Sequence, residues 1–150
     1  MAHRTMDLGN DKLFTAQIAV STLYALNPSE VIYMVAEKDA EGNVLSAEHE
    51  YVISGNKNNL NVRYWSITLY ANDYFLIPNE IKKYSFNKFN TTYSDEGNFQ
   101  ITVSKNKQNA NWLPLNGNGQ LYFLLRMYHA DKTVYENLET IDLPKIEKVK

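Results

Sequence analysis

The residues best suited to chemistry lie on two strand-like segments. In Val62–Tyr70, Trp65, Ile67 and Leu69 alternate with Tyr64, Ser66, Thr68 and Tyr70. In Leu121–Tyr128, Leu121, Phe123, Leu125 and Met127 alternate with Tyr122, Leu124, Arg126 and Tyr128. Side chains two apart on a strand share a face, so each segment has an apolar side and a side bearing hydroxyls. If the segments are neighbours, Ser66, Thr68, Tyr70, Arg126 and Tyr128 come together. Rings, hydroxyls and one guanidinium suit a sugar, a carboxylate or another small polar ligand. The plainer reading is a solvent-facing strand surface, or a polar network under a loop. Arg126 sits in an apolar strand and needs a partner if it is buried.

Other chemistry finds less support. His3, His49 and His129 are scattered, without the spacing of a metal site. Glu48, Glu50, Asp73, Asp95 and Glu96 fall mainly in turns and loops, where solvation explains a carboxylate as well as glycoside hydrolysis does. No Gly-x-Ser-x-Gly elbow, phosphate-binding glycine loop or dinucleotide fingerprint occurs. The absence of cysteine excludes disulfides, thiolate catalysis and Cys-ligated zinc. A net charge of -2 argues against nucleic acid, which needs a clustered basic surface. No apolar stretch is long enough to span a bilayer as a helix. With a polar start and no visible secretory signal, a cytoplasmic protein without cofactor is expected.

The elements that must position these residues are mostly strands. Residues 1–10 read as a disordered N-terminus. Asp11 caps a helix expected to run to about Leu26, with Leu13, Phe14, Ile18, Thr22 and Ala25 at helical spacing. Asn27-Pro28 ends it, because the residue before proline avoids the helical region. Val31–Ala36, Tyr51–Ser54, Val62–Tyr70, Phe99–Val103 and Leu121–Tyr128 read as strands. Asp39–Asn43, Asp95–Asn98 and Asn116–Gly119 are turn signals. Lys145, Lys148 and Lys150, interrupted by Glu147, read as a solvated tail. Residues 11–150 form a single domain: all-β, a jelly-roll-like β-sandwich with one N-terminal helix.

Tyr64-Trp65-Ser66-Ile67-Thr68-Leu69-Tyr70 resembles the aromatic-Trp-Ser-x-Thr-x-Tyr strand of the bacterial family called domain of unknown function 1214. Asn27-Pro28 through Tyr33, Pro78-Asn79, Tyr84-Ser85, Asp95-Glu96-Gly97, Asn111-Trp112-Leu113-Pro114 and Leu125-Arg126-Met127-Tyr128 are similar to further family motifs, in order. The resemblance implies a jelly-roll-like sandwich. It also implies a companion, domain of unknown function 1254, upstream. It adds Tyr84, Asn111 and Trp112 to the candidate ligand-binding residues. Asn111 and Trp112 also suit a structural corner, Asn bonding backbone groups and Trp plugging the sandwich edge. Two segments depart from the family. Val103–Gln108 lacks the family's Gln-His-Asp-Ser-Pro-Gly-like stretch, and Lys82-Lys83 stands where the family has Asn-Arg. The family carries no established activity.

The favoured function is a non-catalytic binding or assembly module for a carbohydrate, a small polar ligand or a protein partner. The alternative is a hydrolase-like enzyme, or a subunit completed by a companion domain. A homo-oligomer formed through an open sheet edge is a third reading.

Overall fold

The computed structural model describes residues 2–3, 29–138 and 140–149. The expected helix over 11–26 lies outside the described residues, as do residues 1–10 apart from 2–3.

Two sheets pack face to face. The first has the order β1-β2-β8-β4-β5, from β1 (Ala2–His3), β2 (Val31–Ala36), β8 (Leu121–Ala130), β4 (Val62–Ala71) and β5 (Ser85–Asn87). The second has the order β7-β6-β3-β9, from β7 (Trp112–Pro114), β6 (Asn98–Ser104), β3 (Tyr51–Asn56) and β9 (Lys145–Lys148). All pairings are antiparallel except β6 with β7. One short helix, α1 (Lys132–Tyr135), follows β8, capped by the Asp131 carboxylate on Thr133 N.

Period-two alternation builds the core. Trp65, Ile67 and Leu69 of β4 and Phe123, Leu125 and Met127 of β8 turn inward with Ile32 and Met34 of β2. They meet Tyr51 and Ile53 of β3, Phe99, Ile101 and Val103 of β6, Leu113 of β7 and Ile146 of β9. Trp65, which is 1% exposed, spans the layers by stacking on Phe99 at 5.1 Å and 22°. Such a ring pair adds about 0.5–1.5 kcal/mol beyond its burial.

The turns close as their residues dictate. Asp39 Oδ1 accepts from the amides of Glu41 and Asn43 at 3.0 and 2.9 Å. Gly97, at φ 85°, donates to Ser94 O, a backbone state that costs glycine little.

The tail differs from expectation. Lys145–Lys148 is not a solvated tail but strand β9, paired to β3. Its lysines point outward while Ile146, 6% exposed, enters the core. The apolar run Tyr74-Phe75-Leu76 does the reverse and lies exposed, because Tyr74 and Phe75 form the hydrogen-bonded turn that follows β4. Among the described residues no helix is long and apolar enough to cross a membrane.

Candidate functional site

The two segments that carry the candidate residues are neighbours. β4 pairs β8 with Tyr64 opposite Tyr128, Ser66 opposite Arg126, Thr68 opposite Leu124 and Tyr70 opposite Tyr122. β2 flanks the other side of β8, with Tyr33 opposite Arg126. The outward side of the first sheet therefore carries tyrosines at 33, 64, 70, 122 and 128 around Arg126. It is not a plain solvated surface. Ser66 and Thr68 are only 9% and 8% exposed, because short hydroxyl side chains sit between large rings on the neighbouring positions.

Arg126 organises the middle of this face. Its Nη1 donates to Thr68 Oγ1 at 3.0 Å and its Nη2 to the Tyr70 hydroxyl at 2.8 Å. Its guanidinium carbon lies 5.7 Å from the Tyr70 ring centroid, within cation–π range. Tyr70 in turn stacks on Tyr122 at 5.3 Å and 10°. No carboxylate pairs with Arg126 among the described residues; the ion pair found there joins Lys132 to Glu136. A guanidinium has five N–H donors, so two bonds leave this cation unneutralised and only partly engaged.

The tyrosines respond to their surroundings. Burial pushes the Tyr122 phenol up to about 12, with Tyr70, Tyr74 and Asp73 adding to the rise and Arg126 opposing it. Burial also raises Tyr33, with the neighbouring Tyr128 phenol adding to the rise and the charge of Arg126 opposing it.

At the end of β4 and β8 nearest Tyr64 and Tyr128, the face opens into a cleft of about 480 Å³, lined by Arg63, Tyr64, Ser66, Phe89, Tyr128 and His129. Local geometry makes it. His129 has φ 46°, a left-handed state that histidine adopts more readily than most residues, and it interrupts the alternation of β8. After β5, the Asn87 carboxamide oxygen accepts from the amides of Phe89 and Asn90 at 2.9 and 3.1 Å. This turn throws the Phe89 ring outward to lie 5.8 Å from Tyr64. Lys88 Nζ ties the loop to β4 through Val62 O and Arg63 O.

The remaining candidates lie apart from this face. Asn111 and Trp112 belong to the second sheet, where they hold a corner. Asn111 Nδ2 donates to Thr92 O and Gln100 O at 2.8 and 3.0 Å, and Oδ1 accepts from Thr92 N at 2.8 Å. Both carboxamide donors are thereby used. Trp112 Nε1 donates to Ser104 O at 3.1 Å. Tyr84 precedes β5, and its carbonyl accepts from Leu69 N. Thus Ser66, Thr68, Tyr70, Arg126 and Tyr128 come together, whereas Tyr84, Asn111 and Trp112 do not join them.

Sequence reasoning missed Tyr33, Arg63, Phe89 and His129 at this face, and left Tyr64 and Tyr122 out of the candidate set. Alternation in β2 and β4 was a usable signal for Tyr33 and Tyr64. Nothing in the sequence pattern signalled Phe89 or Arg63, which depend on the Asn87 turn and on the break at His129.

The fold and this face define a two-sheet β-sandwich with an aromatic, hydroxyl-bearing and cationic outer surface. The chain belongs to the family described as Protein of unknown function (DUF1214), which matches residues 30–132. The crystal structure of the VPA0106 protein from Vibrio parahaemolyticus is similar at 26% identity and a TM-score of 0.76, covering 91% of this chain and 35% of that one. This chain therefore spans about a third of the length of that relative. A putative uncharacterized protein from Burkholderia cenocepacia gives 15% identity and a TM-score of 0.47, covering 96% of this chain and 44% of that one. No protein of curated function matches the chain.

Proposed function

We propose that the protein is a non-catalytic binding module whose outer β2-β8-β4 face takes a carbohydrate or another small polar ligand. The observation that carries this reading is Arg126. It is held by Thr68 and Tyr70, has no carboxylate partner among the described residues, and lies among tyrosine rings. A positioned but unneutralised guanidinium beside rings and hydroxyls offers charge, hydrogen bonds and stacking at once. Over Tyr64–Tyr70 the face runs for about 20 Å at the usual strand rise, long enough for an extended ligand.

On this reading the sandwich is jelly-roll-like, works in the cytoplasm, and operates beside a companion domain or a second copy. The share of VPA0106 covered, 35%, supports the companion, since that relative carries further chain beside the region of likeness.

A glycan array and a thermal-shift panel test the proposal. The wild type should gain thermal stability with a bound class of ligand, by about 2.7 kcal/mol at a hundredfold excess over Kd. Arg126→Ala should lose that gain. A panel without any ligand-dependent shift in the wild type overturns the reading.

A further inference from the structure

The cleft at the end of this face has a chemical bias of its own. Its polar lining consists of Arg63, Ser66 and His129, together with the hydroxyls of Tyr64 and Tyr128, and contains no carboxylate. Glu30, whose carbonyl accepts from His129 N, is outside the lining. Ser66 as a residue is nine-tenths buried, yet its hydroxyl remains open to solvent at the cleft and makes no hydrogen bond among the described residues. A hydroxyl can donate one hydrogen bond and accept others, so a ligand oxygen at the cleft floor would give it a partner in place of water. Arg63 is exposed and its guanidinium has no ion pair among the described residues. Across the strands, Ser66 faces Arg126, so a second unneutralised cation adjoins the cleft.

The walls indicate the shape of the occupant. Tyr64 is inclined at 34° to Phe89 and at 57° to Tyr128, with centroids 5.8 and 5.7 Å apart. Rings set at such angles cannot both lie flat on one planar ligand. They can cradle a puckered ring that presents C–H groups to one wall and hydroxyls to another. The guanidinium fork of Arg63 matches a carboxylate in two-bond geometry.

We propose that the cleft binds a sugar acid, a puckered sugar ring bearing one carboxylate: Arg63 takes the carboxylate, Ser66 a ring oxygen or hydroxyl, and Tyr64, Phe89 and Tyr128 the C–H face. The proposal rests on the binding-module reading and narrows its ligand class.

Isothermal titration calorimetry with glucuronate and galacturonate tests it, against glucose and galactose as neutral parents, and benzoate and acetate as other carboxylates. The wild type should bind a uronate at least tenfold more tightly than its neutral parent. R63Q should abolish that preference while retaining the affinity for the neutral sugar, and S66A should weaken both. Arg63 is exposed, so R63Q is expected to fold, which far-UV circular dichroism checks. Equal affinity for acid and neutral sugars overturns the sugar-acid proposal and leaves the binding-module reading standing. Benzoate or acetate binding as tightly as the uronates overturns the sugar part. Unchanged uronate affinity in both R63Q and S66A overturns the placement in the cleft. No uronate binding also overturns the proposal, and the glycan array then decides the broader reading separately.

Discussion

Removing the Arg126 charge should cost little stability, and the amount follows from its partners. Arg126→Met keeps most of the side chain's bulk and removes the bonds to Thr68 Oγ1 at 3.0 Å and to the Tyr70 hydroxyl at 2.8 Å. A net hydrogen bond to a charged group is worth about 1.5–3 kcal/mol. Arg126 and Tyr70 are only half-buried, and solvent reduces each bond to about 1 kcal/mol. The expected loss is therefore about 2 kcal/mol. Breaking a buried ion pair costs about 3–5 kcal/mol because a charge is orphaned, but no carboxylate pairs with Arg126 among the described residues. Tyr70→Phe removes one bond and leaves the stack on Tyr122 intact. Urea denaturation of wild type, both single variants and the double variant gives the coupling energy. The expected coupling is about 1 kcal/mol. A coupling within about 0.3 kcal/mol of zero refutes the Arg126–Tyr70 bond, since that is the scatter of independent sites. A loss above about 4 kcal/mol for Arg126→Met refutes the claim that the cation is unpaired.

Three further outcomes follow from the geometry. At Gly55 an added Cβ would lie 2.8 Å from Phe99 Cζ and 3.3 Å from Pro144 Cγ, and Phe99 is held against Trp65 and Tyr93. Gly55→Ala should therefore destabilise by about 1–3 kcal/mol in urea melts, and a neutral variant would show that the ring can move. Tyr122 has its phenol raised from near 10 to about 12, so the folded state holds its proton more tightly than the unfolded state. The associated stability is fully present below pH 10 and is lost as pH rises through 12. It amounts to about 1 kcal/mol after solvent screening, and absorbance titration of the wild type against Tyr122→Phe should lose one late-titrating phenol. Asn111→Ala breaks the bonds to Thr92 and Gln100 and should cost about 1–3 kcal/mol in the same melts without altering ligand affinity. A selective loss of binding would instead place Asn111 in the ligand site.

Legibility in the sequence tracked how local each cause is. β2 was read to the residue, and β4 and β8 within two residues of their ends, since alternation over a long strand is a local signal. Their pairing followed from one assumption of adjacency, and with it the gathering of Ser66, Thr68, Tyr70, Arg126 and Tyr128. β7 and β9 escaped because each is short and defined by its partner. A three-residue parallel strand has no period to read, and Ile146 among lysines signals burial only once β3 lies beside it. The cleft escaped for a similar reason. It needs a left-handed residue at His129 and a side-chain-bonded turn at Asn87, and both act on Phe89 and Arg63 across the sheet. Asn111 and Trp112 belong to one of the matched family motifs, and the structure has their polar groups engaged in the corner.

The most direct test of the binding face is a two-dimensional amide NMR titration of the wild type with the best ligand from the glycan array. Binding at the outer face should shift amides of β4 and β8 around Tyr64, Ser66, Arg126 and Tyr128, together with the Phe89 loop, while those of β3, β6 and β9 stay in place. Shifts concentrated on the second sheet, at the Asn111-Trp112 corner or along β9, would contradict it.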